Sequence, residues 1–182
     1  MGMLMQMTYG NYTNKDAIEN CIRYITRTRV NEDRQNELIG WGGMGIGCYT
    51  VPELAIQQFR GVQRAYGKDG RKLYHEVFNL TDIEFERLGC NYDFVYQIAA
   101  RCAEYYYRLG YQVIFAVHHA RNVQKGNKGI HIHFVVNSVN FMTGGKWHTG
   151  KRESYGRGLM FNQIMRDFVE ERFNPLEFMP SV

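Results

Sequence analysis

Two histidines one residue apart lie inside an apolar run, Gly129-Ile-His131-Ile-His133-Phe-Val-Val-Asn137. In an extended strand, residues two apart share a face, so His131 and His133 converge while Ile132, Phe134 and Val136 face the opposite layer. Asn137 falls on the histidine side, about 13 Å farther along than His133. Imidazole nitrogens can hold a divalent ion or bind phosphate oxygens, and two alone make an incomplete metal site. The nearest candidates for a third ligand are His118 and His119. They point to opposite faces of one strand, so only one of them can join the pair. His75 is a more distant competitor. A polar face carried on a rigid apolar strand is a suitable support for such a site.

The elements that must position these residues follow from periodicity. Met3 to Tyr12 reads as a short first strand. Asn14 is a candidate cap for a helix from Lys15, with Asp16 and Glu19 near its positive end. Apolar residues recur at helical spacing through Ala17-Ile18-Glu-Asn-Cys21-Ile22-Arg-Tyr24-Ile25, which places Tyr24 near the helix end beside Arg23, Arg27, Arg29 and Arg34. Gly40 to Gly47 reads as a flexible loop, without the spacing of a phosphate-binding or dinucleotide fingerprint. Pro52 opens a second helix toward Tyr66. Leu73 to Leu80, Tyr111 to Val117 and Ile130 to Val139 are predicted strands. Tyr92 to Leu109 and Tyr155 to Phe173 are predicted helices. The expected fold is an α/β sandwich (α+β): a central, largely antiparallel sheet of about five strands, with helices packed mainly on one face and the chemistry on the other.

The chain of 182 residues has room for one substantial core, and it carries a formal net charge of +4, compatible with an anionic partner. Local basic groups at Lys146, Lys151, Arg152 and Arg157 add to the arginines around Tyr24. Cys21, Cys48, Cys90 and Cys102 have no metal-knuckle spacing and are expected to be reduced. The start lacks a secretory signal, and the longest apolar runs fall well short of the roughly 18–20 residues of a membrane span. A cytoplasmic protein without a membrane span is expected, with residues 1–182 as one domain, complete or part of a longer chain.

The run His131-Ile-His133-Phe-Val-Val-Asn137-Ser-Val-Asn140-Phe-Met-Thr-Gly-Gly-Lys146-Trp-His148 resembles a relaxase domain of the mobilization-nuclease family, within the histidine-hydrophobic-histidine (HUH) endonuclease superfamily. Three other segments agree in order: Cys21-Ile-Arg23-Tyr24-Ile-Thr-Arg27, Tyr66-Gly-Lys68 through Leu73-Tyr-His75-Glu-Val-Phe, and Leu109-Gly-Tyr111-Gln-Val-Ile-Phe-Ala-Val-His118. The resemblance covers roughly Asn14 to His148. The chain has Ala120 where such relaxases often carry Asp, Gly129 where they often carry a further histidine, and a longer connection before the pair.

The resemblance implies a metal-dependent, site- and strand-specific nuclease of conjugation. Its substrate would be single-stranded DNA at a plasmid or integrative-element transfer origin. Tyr24 would be the nucleophile, forming a 5′-phosphotyrosyl intermediate, and His118, His131 and His133 would hold Mn²⁺ or Mg²⁺, with His119 the alternative third ligand. Arg23, Arg27, Arg29, Lys146, Lys151 and Arg152 would bind the DNA backbone, and Trp147 or Trp41 would stack on a base. His75, Glu76 and Asn137 are supporting candidates. An accessory DNA-binding or coupling protein is an expected partner. Two alternatives stay open: a related rolling-circle replication or transposition nuclease, and a catalytically silent accessory that binds single-stranded DNA.

Overall fold

In the computed structural model, residues 5–7, 10–29, 34–120 and 129–173 are described. They form five strands and five α-helices: β1 (Met5–Met7), α1 (Ala17–Ile25), β2 (Leu38–Met44), α2 (Pro52–Ala65), β3 (Leu73–Asn79), α3 (Asp82–Arg87), α4 (Tyr92–Arg108), β4 (Tyr111–Ala120), β5 (Gly129–Asn140) and α5 (Lys151–Phe173). The strands make one sheet in the order β1-β3-β5-β4-β2, antiparallel at every pairing. The histidine-pair strand is therefore the middle of the sheet, paired on both edges.

Strand alternation divides the interior into two layers. Phe78, Val113, Phe115, Val117, Ile132, Phe134 and Val136 pack with residues of α4 and α5 into the larger core. Leu73, Ile114, Ala116 and Val135 face the other way, against the buried Ala17, Ile18, Cys21, Ile22 and Ile25 of α1 and Ala55, Ile56 and Phe59 of α2. The longest helices thus cover one face, as expected. The other face is not bare: α1 and α2 cover part of it, and this is how α1 reaches the histidines.

Gly40 to Met44 belongs to the edge strand β2, not to a flexible loop. Its glycines disguised it, because they lack the alternating side chains from which a strand is read. At Gly42 a Cβ would lie 2.5 Å from Phe115 Cζ and 2.7 Å from Tyr96 Oη. Glycine is needed there for the backbone to approach the aromatics. A further short helix, α3, was not expected from periodicity; its Thr81–Glu84 capping box supplies the local signal. Cys21, Cys48, Cys90 and Cys102 are all free thiols, and no helix among the described residues is long and apolar enough to cross a membrane. Part of the long connection between β4 and β5, residues 121–128, lies outside the described residues.

Candidate active site

The β4–β5 register places His118 directly opposite His131, while Ala116 faces His133. His118 therefore joins the pair on one face. The ring centroids are 4.6 Å apart for His118–His133, 4.9 Å for His131–His133 and 5.3 Å for His118–His131. One donor nitrogen from each ring lies within 4.8 Å of the others. His119 points to the opposite face, where its Nδ1 shares a 2.6 Å hydrogen bond with the Tyr92 hydroxyl.

His75 completes a fourth corner. Its Nε2 lies 2.8 Å from His133 Nδ1, and its Nδ1 lies 3.4 Å from the Tyr12 hydroxyl. His133 Nε2 is buried and has no hydrogen-bond partner among the described residues. A buried imidazole nitrogen without a partner is costly in an apolar setting and natural in a ligand. On this observation the three histidines fit a divalent cation. His118 is more constrained. Its Nε2 is 2.6 Å from the Ile25 carbonyl, to which it can only donate, so its Nδ1 accepts from Arg27 Nη2 at 3.1 Å.

Burial and positive neighbours keep the cluster neutral. Burial, then the charge on His131, pushes His75 down from 6.5 to about 4. Burial, then the Arg27 guanidinium, pushes His118 down to about 3. His131 is lowered chiefly by burial, and His133 well below its ordinary value by burial and then by His75. Neutral imidazole is the ligand form. The same shifts give the fold a pH dependence. The unfolded chain binds these protons near pH 6.5, whereas His75 in the fold binds one only near 4 and His118 near 3. Their contribution is full above about 6.5 and is lost as pH falls toward those values. Each such group is worth about 2 kcal/mol by pH 5, about 4 for the two, so thermal melts in chelator should show Tm falling by about 8–16 °C from pH 7 to pH 5. A Tm that holds or rises would remove the buried neutral cluster.

Tyr24 reaches this cluster from the end of α1. Its ring is 5.7 Å from His133 and 6.2 Å from His75, edge to face. Three guanidiniums surround the ring, those of Arg27 at 4.9 Å, Arg29 at 5.0 Å and Arg34 at 5.8 Å. The helix ending explains Arg27. Thr28 N donates to Arg23 O and Arg27 N to Tyr24 O, a Schellman closure with Arg27 at φ 53°. That left-handed turn, unusual for arginine, sends the side chain back under the helix to Glu37 at 3.0 Å and to His118. Arg27 is only 3% exposed, so it does not line a DNA-facing surface. Together Tyr24, Tyr12, Arg29 and His75 border an open cavity of about 290 Å³.

Several expected residues lie elsewhere. Glu76 neighbours His75 in sequence but faces the larger core, where it is fully buried, pairs with Arg157 and accepts from Tyr106 Oη at 2.6 Å. It is not an acid of the histidine face. Trp147 packs into the same layer among Tyr74, Tyr111 and Tyr106 at 5.0, 5.4 and 5.6 Å. Trp41, paired with Ala116, belongs instead to the layer of α1 and α2. Asn137 is a buried tie between layers. It donates to Phe59 O at 3.1 Å and Gln112 Oε1 at 2.9 Å, and accepts from Gln63 Nε2 at 3.0 Å.

Arg23 pairs with Glu19 one turn earlier on α1 at 3.1 Å and bridges to α2 through Glu53 at 2.9 Å. Lys146 donates to the carbonyls of Asp69 and Arg71 and to Ser138 Oγ. Lys151 and Arg152 are exposed at the start of α5. Of the expected DNA-binding cations, Arg29 is the exposed one beside Tyr24. Tyr12, Glu37 and the Ile25 carbonyl at the site gave no local signal, since only the assembled sheet brings them near.

The sequence matches the profile of the relaxase, MobA/VirD2-like nuclease domain over residues 24–168. Among solved structures, the fold is similar to a metal-bound complex of the conjugative relaxase TrwC with oriT DNA. The TM-score is 0.50 at 10% identity, over 97% of this chain and 71% of that one. No curated protein matches. The family match runs through Tyr24 and all three clustered histidines, and the chain belongs to the MobA/VirD2-like relaxase nuclease-domain family.

Proposed function

We propose that this chain is a site- and strand-specific nuclease and strand transferase acting on single-stranded DNA at a transfer origin. The observation that carries the reading is the approach of the Tyr24 ring to within 5.7 Å of His133, in a cluster where three imidazoles converge. In the proposed step, Tyr24 Oη attacks the scissile phosphorus. A tyrosyl O–P bond forms as the bond to the 3′ oxygen breaks, and that oxygen departs as a hydroxyl with the proton given up by the phenol. The DNA 5′ end stays joined to Tyr24, so the bond can later be resealed.

His118, His131 and His133 would hold Mn²⁺ or Mg²⁺. When bound, such an ion supplies positive charge to the phosphate oxygens as the transition state forms. Imidazole ligands favour Mn²⁺ over Mg²⁺. His75 would orient the site: accepting from His133 Nδ1–H leaves His133 Nε2 as the ligand nitrogen, and His75 Nδ1–H then donates to Tyr12. Arg29 beside Tyr24 would hold a flanking phosphate.

The engagement of both His118 nitrogens favours a second reading, a DNA-binding accessory without cleavage. Two measurements separate them. Mn²⁺ at a hundredfold its Kd stabilises a single-site protein by about 2.7 kcal/mol, so Tm should rise by about 5–10 °C. His133→Gln should abolish that rise. Oligonucleotides tiling the DNA around the gene should then give a denaturation-resistant protein–DNA adduct with Mn²⁺ and none with chelator. Tight binding without an adduct under any metal condition selects the silent accessory.

A further inference from the structure

Arg23, Arg27 and Lys146 are committed to contacts within the fold, and a longer strand needs more than Arg29 beside Tyr24. A larger cleft of about 620 Å³ opens where α1 meets α2 and the turn after α2. Lys15, Arg60, Arg64, Lys68 and Lys72 line it, with Asp16 and Asp69 as its acids. Lysine and arginine outnumber acid there, in a chain whose overall excess is small. Arg60 is drawn toward Glu19 at 3.2 Å and Lys72 toward Asp69 at 3.8 Å, whereas Arg64 and Lys68 stand exposed at the rim. The crowding is felt nearby: Lys146 is held below its ordinary value first by burial, then by Lys72, with Lys68 and Arg71 adding to the effect.

The cleft adjoins the site: Lys72, in its lining, donates its backbone N–H to the carbonyl of Tyr12, which borders the cavity at Tyr24, at 2.7 Å. Asn14 and Ala17 border the cavity containing Tyr24, while Lys15, Asp16 and Ile18 border the basic cleft. Residues 14–18, which lead into α1, are thus the shared wall. A strand passing from Tyr24 over this wall would meet the basic cleft next. Among the described residues the cleft lining has no aromatic ring, so it suits phosphates rather than stacked bases.

We infer that the α1–α2 cleft is a sequence-independent track for the sugar–phosphate backbone of the single strand that Tyr24 engages, with Arg64 and Lys68 as its solvent-facing grips. This rests on the proposed single-stranded DNA substrate. Each phosphate neutralised on a single strand contributes about −0.7 to the slope of log K against log salt.

The test is fluorescence anisotropy with labelled dT20 from 50 to 300 mM salt, on the full chain. It compares wild type, Arg64→Gln/Lys68→Gln, and Arg166→Gln/Arg172→Gln, two exposed positions on α5. The cleft variant should lower the slope by about 1.4 and weaken binding about 25-fold at 100 mM salt, the same slope carried to a 1 M reference. The α5 variant should change neither by more than about twofold. An unchanged slope in the cleft variant, the loss appearing in the α5 variant instead, or no binding of dT20 by wild type would each overturn the track. The wild-type adduct assay reads the tyrosine chemistry separately: binding with the expected slope change but no adduct would keep the track and remove the nuclease.

Discussion

Tyr24→Phe should eliminate the covalent DNA adduct, lowering its rate of formation by on the order of 10³-fold or more, while single-stranded DNA affinity stays within about threefold. The separation is sharp because of what Tyr24 touches. Its contacts with His75, His133, Arg27, Arg29 and Arg34 all involve the ring face or edge. Phenylalanine keeps that ring and removes only the oxygen. A fall in adduct with unchanged Tm and unchanged dT20 binding would assign the loss to chemistry. An adduct that persists would point to another nucleophile, and Tyr12 is the one to test next, since its hydroxyl is 3.4 Å from His75 Nδ1.

Arg157→Leu should produce the largest loss of stability, about 3–5 kcal/mol, seen as a Tm drop of roughly 6–20 °C. Glu76 is fully buried and Arg157 is 4% exposed, joined by paired contacts that include Arg157 Nε to Glu76 Oε2 at 3.0 Å. Removing the guanidinium leaves a carboxylate in the core that, among the described residues, is supported by the Tyr106 hydroxyl alone. Burial, then Glu76, raises the Tyr106 phenol well above its ordinary value, so it remains a donor but cannot neutralise the charge. The double variant Glu76→Leu/Arg157→Leu should recover most of the loss, because an apolar pair replaces the stranded ion. Recovery would identify the penalty as an unpaired buried charge. A single-variant loss under about 1 kcal/mol would show that this pair does not hold α5 against the sheet.

Residues 75 and 76 show how far sequence reading reached. Alternation required that they face opposite layers, but not which layer held the histidines and which held the long helices. Once β3 pairs with β5 so that Val77 faces His133, His75 is committed to the site and Glu76 to the core. Likewise, parity required that only one of His118 and His119 could join the pair. The β4–β5 register then selected His118, by setting it opposite His131.

The local pattern of this chain determined its strand alternation, the helical spacing that buries α1 and leaves Tyr24 on its flank, and the convergence of His131 with His133. These depend on backbone periods of 2 and 3.6 residues, which are properties of neighbours in sequence. Tertiary structure decided the rest. It turned the glycine-rich stretch into β2 by pairing it with β4, took Trp147 into the aromatic core and drew Arg27 inward to His118 through one left-handed residue. It also laid α1 beside α2 to open the basic cleft. Those outcomes depend on contacts between residues tens of positions apart, which only sheet register and helix docking bring within reach.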